Sequence, residues 1–198
     1  MNHPKLGFVF YGGCASLDLY NTLRRRKDPK STTQDLLEQD DGLKKWFLKA
    51  QKKATWTSSI PSLSESAMSQ QVSDKVQSQA IQVRGIIEKL INKNASSHEI
   101  KKLNDLAQLR PHWELSENDG LLIAKNTLDL EALLGYVAED CIQLFTSNIS
   151  TNIKECAQDR CGIIFLDRSN GAKRNWCSMK TCGNRAKALR SIERKSDS

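Results

Sequence analysis

Four cysteines near one end constrain this chain more than anything else in it. Cys156 and Cys161 are separated by four residues, Cys177 and Cys182 by another four, and fifteen residues lie between the pairs. Four thiolates in two short-spaced pairs are what a tetrahedral zinc ion needs, and a site closed by four thiolates keeps no open position for water. Such a site is structural. A module of fewer than 50 residues has too little core to fold unaided, and metal coordination supplies the missing free energy. The remaining two cysteines, Cys14 and Cys141, fall on apolar faces and read as core residues.

The residues between and after the pairs fit a small finger. Gly162-Ile163-Ile164-Phe165-Leu166 reads as an apolar strand, Asp167 to Gly171 as a turn, and Lys173 to Trp176 as the return. The run from Gly183 to Lys195 has good helix formers and no proline. On that helix, Ala186, Leu189 and Ile192 or Glu193 are expected to face the finger, leaving Arg185, Lys187, Arg190 and Arg194 outside.

Charge points the same way. Residues 151–198 hold eleven Lys or Arg against five Asp or Glu, a net of +6 within a total of +7. The first 150 residues are nearly balanced. A small basic module of this kind suits a polyanion, most simply nucleic acid, with Lys173, Arg174, Arg185, Lys187 and Arg190 as the candidate contacts.

The first 150 residues predict an α+β domain, mainly helical with a small antiparallel sheet, and residues 151–198 the finger; Ser147 to Asn152 marks the boundary. Leu6 to Tyr11 reads as a strand, followed by a Gly12-Gly13 turn and a helix over Ala15–Arg25. Helical spacing recurs over Asp35–Lys52, with Gly42 as an interruption, over Ala67–Ile91, and over Thr127–Phe145 with Thr127 as cap. Ser96 or Ser97, with Glu99 behind it, caps a helix that stops before Pro111. Lys27–Thr33 and Thr55–Ser66 read as loops, the latter as the most mobile segment. His112–Leu115 and Leu121–Ala124 flank a Gly-containing turn and predict a hairpin sharing one sheet with Leu6–Tyr11. Asp18, Asn21 and Thr22 form a polar set on an apolar helix; a buried hydrogen-bond network there is preferred to a ligand contact.

Several classes are disfavoured. No run of 18 apolar residues could cross a membrane, and the short apolar patch after Met1 is no signal peptide, so a cytoplasmic protein with reduced cysteines is expected. His3, His98 and His112 sit in polar or terminal settings, and no paired carboxylates, phosphate loop or nucleophile motif appears. A catalytic role is not expected.

Trp176-Cys177-Ser178-Met179-Lys180-Thr181-Cys182-Gly183-Asn184-Arg185-Ala186-Lys187 closely resembles the CGNR zinc finger, as do Cys156 to Gly162 and Phe165-Leu166-Asp167. Gly12-Gly13 with Leu17-Asp18-Leu19-Tyr20-Asn21-Thr22-Leu23 resembles the opening motif of the ABATE domain that typically precedes this finger. The resemblance implies a bacterial stress-induced transcription regulator with a zinc-binding finger directed at DNA. The expected protein therefore binds one structural Zn2+ and duplex DNA, with the N-terminal domain sensing an effector or forming a homodimer. RNA binding, with Trp176 or Phe165 stacking on a base, and a zinc-stabilised protein-interaction module are the alternatives.

Overall fold

The computed structural model describes residues 6–56, 60–110, 114–118, 120–125 and 127–196. The fold is α+β, as expected, and its first helix forms the pivot. That helix, α1 (Ala15–Tyr20), has all six residues buried. It stops well short of Arg25 because Asn21 and Thr22 turn their polar groups away from a helical ladder. The Thr22 hydroxyl donates to the Leu19 carbonyl at 2.6 Å, and Arg25 takes a left-handed φ of 59° that no helix continues. Leu23–Arg24 (β1) instead pairs antiparallel with Gln34–Asp35 (β2).

The next helix, α2 (Gly42–Lys53), begins at Gly42 rather than being interrupted by it. A Cβ on Gly42 would lie 2.4 Å from the Leu37 carbonyl oxygen, so only glycine admits that close approach. Leu36 and Leu37 are buried without being helical. The predicted Thr55–Ser66 loop contains β3 (Ser62–Leu63) and the start of α3 (Glu65–Ser69); residues 57–59 lie outside the described set.

The long helix expected from Ala67 is two helices. After α3 the chain restarts as α4 (Asp74–Ile91), where the Ser73 hydroxyl accepts from Val76 N at 3.3 Å. The next, α5 (Ser97–Ala107), carries the predicted capping box in full, Ser96 and Glu99 each bonding the other's backbone. The hairpin pairs β4 (Glu114–Asn118) with β5 (Leu121–Lys125), and Gly120 supplies a φ of +79° at its turn; His112 falls outside the described residues.

Thr127–Leu128 (β6) pairs in parallel with β3, so Thr127 belongs to a strand. Asp129 caps the following α6 (Leu130–Thr146), accepting from Ala132 N at 2.6 Å. Leu6–Tyr11 forms no strand and does not join the hairpin. Its backbone is tied down by side chains instead: Leu6 N donates to Gln34 Oε1 at 3.2 Å, and Arg24 donates to the Gly7 carbonyl at 2.8 Å. After a 3₁₀ turn at Asn148–Asn152, β7 (Ile153–Glu155) pairs antiparallel with β8 (Ile164–Leu166). The basic helix α7 (Asn184–Ser196) ends the described chain.

The core lies where α1, α4 and α6 meet, with α5 laid on α6. Leu17, Leu19, Trp46, Phe47, Leu133, Leu134 and Val137 are fully buried in it, each large aliphatic contributing about 1.5–3 kcal/mol of burial. Cys14 and Cys141 are core residues, as the sequence implies, and burial pushes the Cys14 thiol up to about 12. Ile164 and Leu166 of β8 belong to this same core. The finger's strand is thus built into the main hydrophobic cluster.

Candidate metal centre

Each cysteine pair is held by a distinct backbone device. In the first, Cys156 N donates to the Ile163 carbonyl at 2.9 Å and Cys161 N to the Gln158 carbonyl at 3.1 Å. Left-handed φ values at Arg160 (64°) and Gly162 (64°) turn the chain tightly around Cys161. In the second, Cys177 N donates to Cys156 Sγ at 3.4 Å, and Cys182 sits in a widened helical turn over Met179–Gly183 that runs into α7. Ala157 N donates to the Asn175 carbonyl at 2.8 Å and joins the two halves.

These devices bring the four sulfurs within 4.8 Å of one another. Cys161 to Cys177, Cys177 to Cys182 and Cys182 to Cys161 measure 3.7, 3.6 and 3.5 Å. Four sulfurs about 2.3 Å from a tetrahedral ion would stand about 3.8 Å apart, so the spacing fits zinc. Cys156, Cys177 and Cys182 are buried with Ile163 and Phe165, while Cys161 is partly open.

The acid–base chemistry of the set calls for a cation. The hydrogen bond with Cys177 pulls the Cys161 thiol down to about 5. That same bond, followed by burial, raises Cys177; burial and the neighbouring Cys161 push Cys182 up to about 11. One thiolate forms readily and its neighbours then resist ionisation. A dication removes that conflict by binding all four as thiolates. The four cysteines hold one structural zinc ion.

The finger is clamped to α1 by the polar set noted in the sequence. Asn21 Nδ2 donates to the Ile164 carbonyl at 2.8 Å, and Ile164 N donates to Asn21 Oδ1 at 3.0 Å. Asp18 accepts from Gly12 N and from Trp56 Nε1, both at 2.7 Å, and burial pushes its pKa up to about 7 against the pull of those donors. The Gly12 carbonyl then accepts from Leu166 N at 2.8 Å. A Cβ on Gly12 would lie 2.9 Å from Asp18 N, and Gly13 has a φ of +86°, so both glycines are needed for this socket. Thr22 completes the set by accepting from Arg84, which forms a buried ion pair with Asp35. The preferred reading of a buried network thus matches the structure.

Two family models match the chain. The ABATE model, described as a putative stress-induced transcription regulator, covers residues 13–148, well over half of the sequence. The chain belongs to the ABATE family. The CGNR zinc finger follows at residues 152–195, so the two occur in the expected order. No curated protein matches the chain.

The ABATE motif Gly12-Gly13…Asp18…Asn21-Thr22 is therefore the receptor for the CGNR strand β8. The CGNR tetrapeptide itself does mixed work. Cys182 is a ligand, Gly183 is covered by the Met179 thioether, Asn184 Nδ2 donates to the Lys180 carbonyl at 3.3 Å, and Arg185 is exposed. One organiser of the CGNR finger was passed over in the sequence as turn chemistry. Asp167, fully buried, accepts from Ser169 N and Oγ, Arg174 N and Lys154 Nζ. Burial opposes its charge, but these donors hold its carboxyl below the usual range.

The candidate contacts do not all stand alike. Lys173, Arg185, Lys187 and Arg190 are exposed, and Arg190 lies over the Trp176 ring at 5.6 Å. Arg174 stacks on Phe165 at 4.5 Å and donates to the carbonyls of Trp176 and Cys177, which fixes the approach to the second cysteine pair. Phe165 is fully buried and out of reach of a base, leaving Trp176 as the half-buried aromatic of that pair. Leu189 (47% exposed) and Ile192 (65%) do not face the finger as expected. Ala186 is half-buried, and beyond the first turns α7 leaves a small core already filled by Ile163, Phe165 and the cysteines.

Proposed function

We propose that this ABATE protein is a zinc-dependent nucleic-acid-binding protein, a transcription regulator whose CGNR finger contacts duplex DNA. The observation that carries the reading is the exposed set Lys173, Arg185, Lys187 and Arg190, none of which has an acidic partner among the described residues. Cations without acidic partners among the described residues, on a metal-rigidified module, are suited to phosphates, and each contact releases counterions. Arg174 holds the scaffold beneath them. Residues 151–198 act as the contact module and residues 1–150 as the part that senses an effector or forms a homodimer, which would present two fingers to two half-sites. Both families are non-enzymatic in kind, and a zinc bound by four thiolates has no position for a reacting water. No helix among the described residues is long and apolar enough to cross a membrane, in keeping with a role in the cytoplasm.

The test is fluorescence anisotropy of the zinc-loaded protein against a mixed duplex pool over a salt series, with Arg185→Ala alongside. Affinity that falls steeply with salt and weakens in the variant supports the reading. Preference for single-stranded RNA moves the assignment to RNA. No nucleic-acid affinity at low salt, with zinc confirmed, leaves the finger as a protein-docking module.

A further inference from the structure

A cleft of about 730 Å³ opens between the ABATE domain and the CGNR finger. Its floor includes Val9, Tyr11 and Ile163, and three of the zinc-ligating cysteines border it. Four guanidiniums line it from three separate stretches of chain: Arg24 and Arg25 from the domain, Arg160 from the first cysteine pair, and Arg185 from α7.

Two of these come from a run of four consecutive cations, Arg24-Arg25-Arg26-Lys27, in a domain that is otherwise nearly neutral. Three of the four have a structural task, Arg24 by donating to the Gly7 carbonyl at 2.8 Å. Arg26 stacks on Tyr20 at 3.9 Å and donates to the Gly162 carbonyl, and Lys27 pairs with Glu155 at 2.6 Å. Arg24 and Arg25 turn into the cleft. Among the described residues Arg24 Nε is buried without a partner. The Arg25 guanidinium donates to Ser31 Oγ at 3.0 Å. The carboxylates in the cleft are Asp28 and Asp159. Asp28 already accepts from Lys30 N and stands 3.9 Å from Arg160.

The backbone adds a second observation. Among the described residues five non-glycines take a positive φ, and two of them are the cleft residues Arg25 (59°) and Arg160 (64°). A left-handed conformation costs an ordinary residue roughly 1–2 kcal/mol relative to the right-handed one. Both positions carry arginine although a left-handed φ favours glycine.

We propose that this cleft seats backbone phosphates of the bound nucleic acid, so that the interface runs from α7 across the first cysteine pair onto Arg24 and Arg25 of the ABATE domain. The proposal rests on the nucleic-acid reading above. A polynucleotide is favoured over a free phosphorylated molecule because the helix that brings Arg185 to the cleft also carries the exposed Lys187 and Arg190, so cations continue beyond the cleft itself. Guanidiniums suit that task, since their paired donors match phosphate oxygens.

The experiment titrates a fluorescent 20-base-pair duplex with the full-length zinc-loaded chain over a salt series. It compares Arg25→Gln, Arg160→Gln, Lys187→Gln and the distant Lys101→Gln, with zinc content and melting temperature measured for each. Arg25→Gln and Arg160→Gln should each weaken binding roughly 3- to 10-fold and lower the salt slope by about 0.9, the value of one phosphate contact. Arg25→Lys should recover most of the affinity, and Lys101→Gln should change nothing. If Arg25→Gln loses zinc or folds poorly, Arg160→Gln carries the comparison. Wild-type affinity and slope in both cleft variants, with Lys187→Gln weakened, would overturn the cleft assignment and leave the finger reading intact. No duplex binding by the wild-type chain removes both. A parallel calorimetric titration with adenosine monophosphate separates the sources of phosphate: tight binding lost in Arg25→Gln would reassign the cleft to a free phosphorylated molecule.

Discussion

Replacing Asn21 by alanine tests how the finger is joined to the ABATE domain. The side chain is 1% exposed, and it exchanges two hydrogen bonds with the backbone of Ile164, at 2.8 and 3.0 Å. The partners lie 143 residues apart in sequence, so the pair ties the finger strand to the start of the ABATE domain. Alanine deletes both bonds and leaves a backbone N–H and a carbonyl buried, with Ile164 itself 7% exposed. Each orphaned group costs about 1–3 kcal/mol, and no water-sized replacement comes from a methyl group. The expected loss is about 3–5 kcal/mol, a large fraction of a typical domain's stability. For a chain of this size that lowers the melting temperature by roughly 6–20 °C. Urea unfolding in a zinc buffer, followed by far-ultraviolet circular dichroism, gives the midpoint. The four ligands are untouched, so zinc content should remain one ion per chain. Asn184→Ala, which removes one exposed 3.3 Å bond, should shift the midpoint very little. A change within about 0.5 kcal/mol for Asn21→Ala, the range of ordinary surface substitutions, would refute the idea that this residue clamps the finger.

Other outcomes follow from the same structure. Cys182→Ser should drop bound zinc well below one per chain by atomic emission and also lower the global melting temperature, because Ile164 and Leu166 of the finger sit in the main core. Asp18 is ionised above about pH 4 in an unfolded chain but titrates at about 7 in the fold; its contribution to stability is therefore complete below pH 4 and lost as pH rises to 7. Urea midpoints at fixed zinc should fall from pH 5.5 to 7.5, and Asp18→Asn should flatten that slope. Arg84→Met strands Asp35 beside an apolar chain and should cost about 3–5 kcal/mol by denaturant unfolding, with the Arg84→Met/Asp35→Leu double variant recovering part of it. Gly42→Ala forces a Cβ against the Leu37 carbonyl and should destabilise the protein measurably by thermal melting, whereas Gly85→Ala, where a Cβ meets nothing within 4 Å, should be neutral or mildly stabilising.

What could be read from the sequence was what is decided locally. Zinc ligation requires one residue type at short spacings, so Cys156, Cys161, Cys177 and Cys182 announced the centre before any coordinates existed. The Ser96–Glu99 capping box spans three residues and was equally plain. What failed was set by partners far away in sequence. Thr127 looked like a helix cap, but a parallel pairing with Ser62 drew it into a strand and passed the cap to Asp129. Leu6–Tyr11 had strand composition, yet the side chains of Gln34 and Arg24 took up its backbone groups. The helical pattern ran on to Arg25, but α1 ends at Tyr20, where Asn21 bonds across to Ile164, 143 residues away.

The Arg24–Lys27 run shows a different kind of oversight. Four consecutive cations follow the ABATE motif, but acidic charge scattered elsewhere leaves the N-terminal domain nearly balanced and masks them. Only the fold divides the run: Arg26 and Lys27 staple Gly162 and Glu155 of the finger, while Arg24 and Arg25 turn into the cleft. The same fold explains why Gly12, Asp18 and Asn21 recur together as a motif. They grip β8, and β8 carries the first cysteine pair into register with the second. A change in the ABATE core that moved α1 would therefore move Ile164 and Leu166 first, and with them the placement of Arg160 and Arg185. Any effector acting on the helical domain has a short physical route to the cleft arginines, through α1 and the two hydrogen bonds of Asn21.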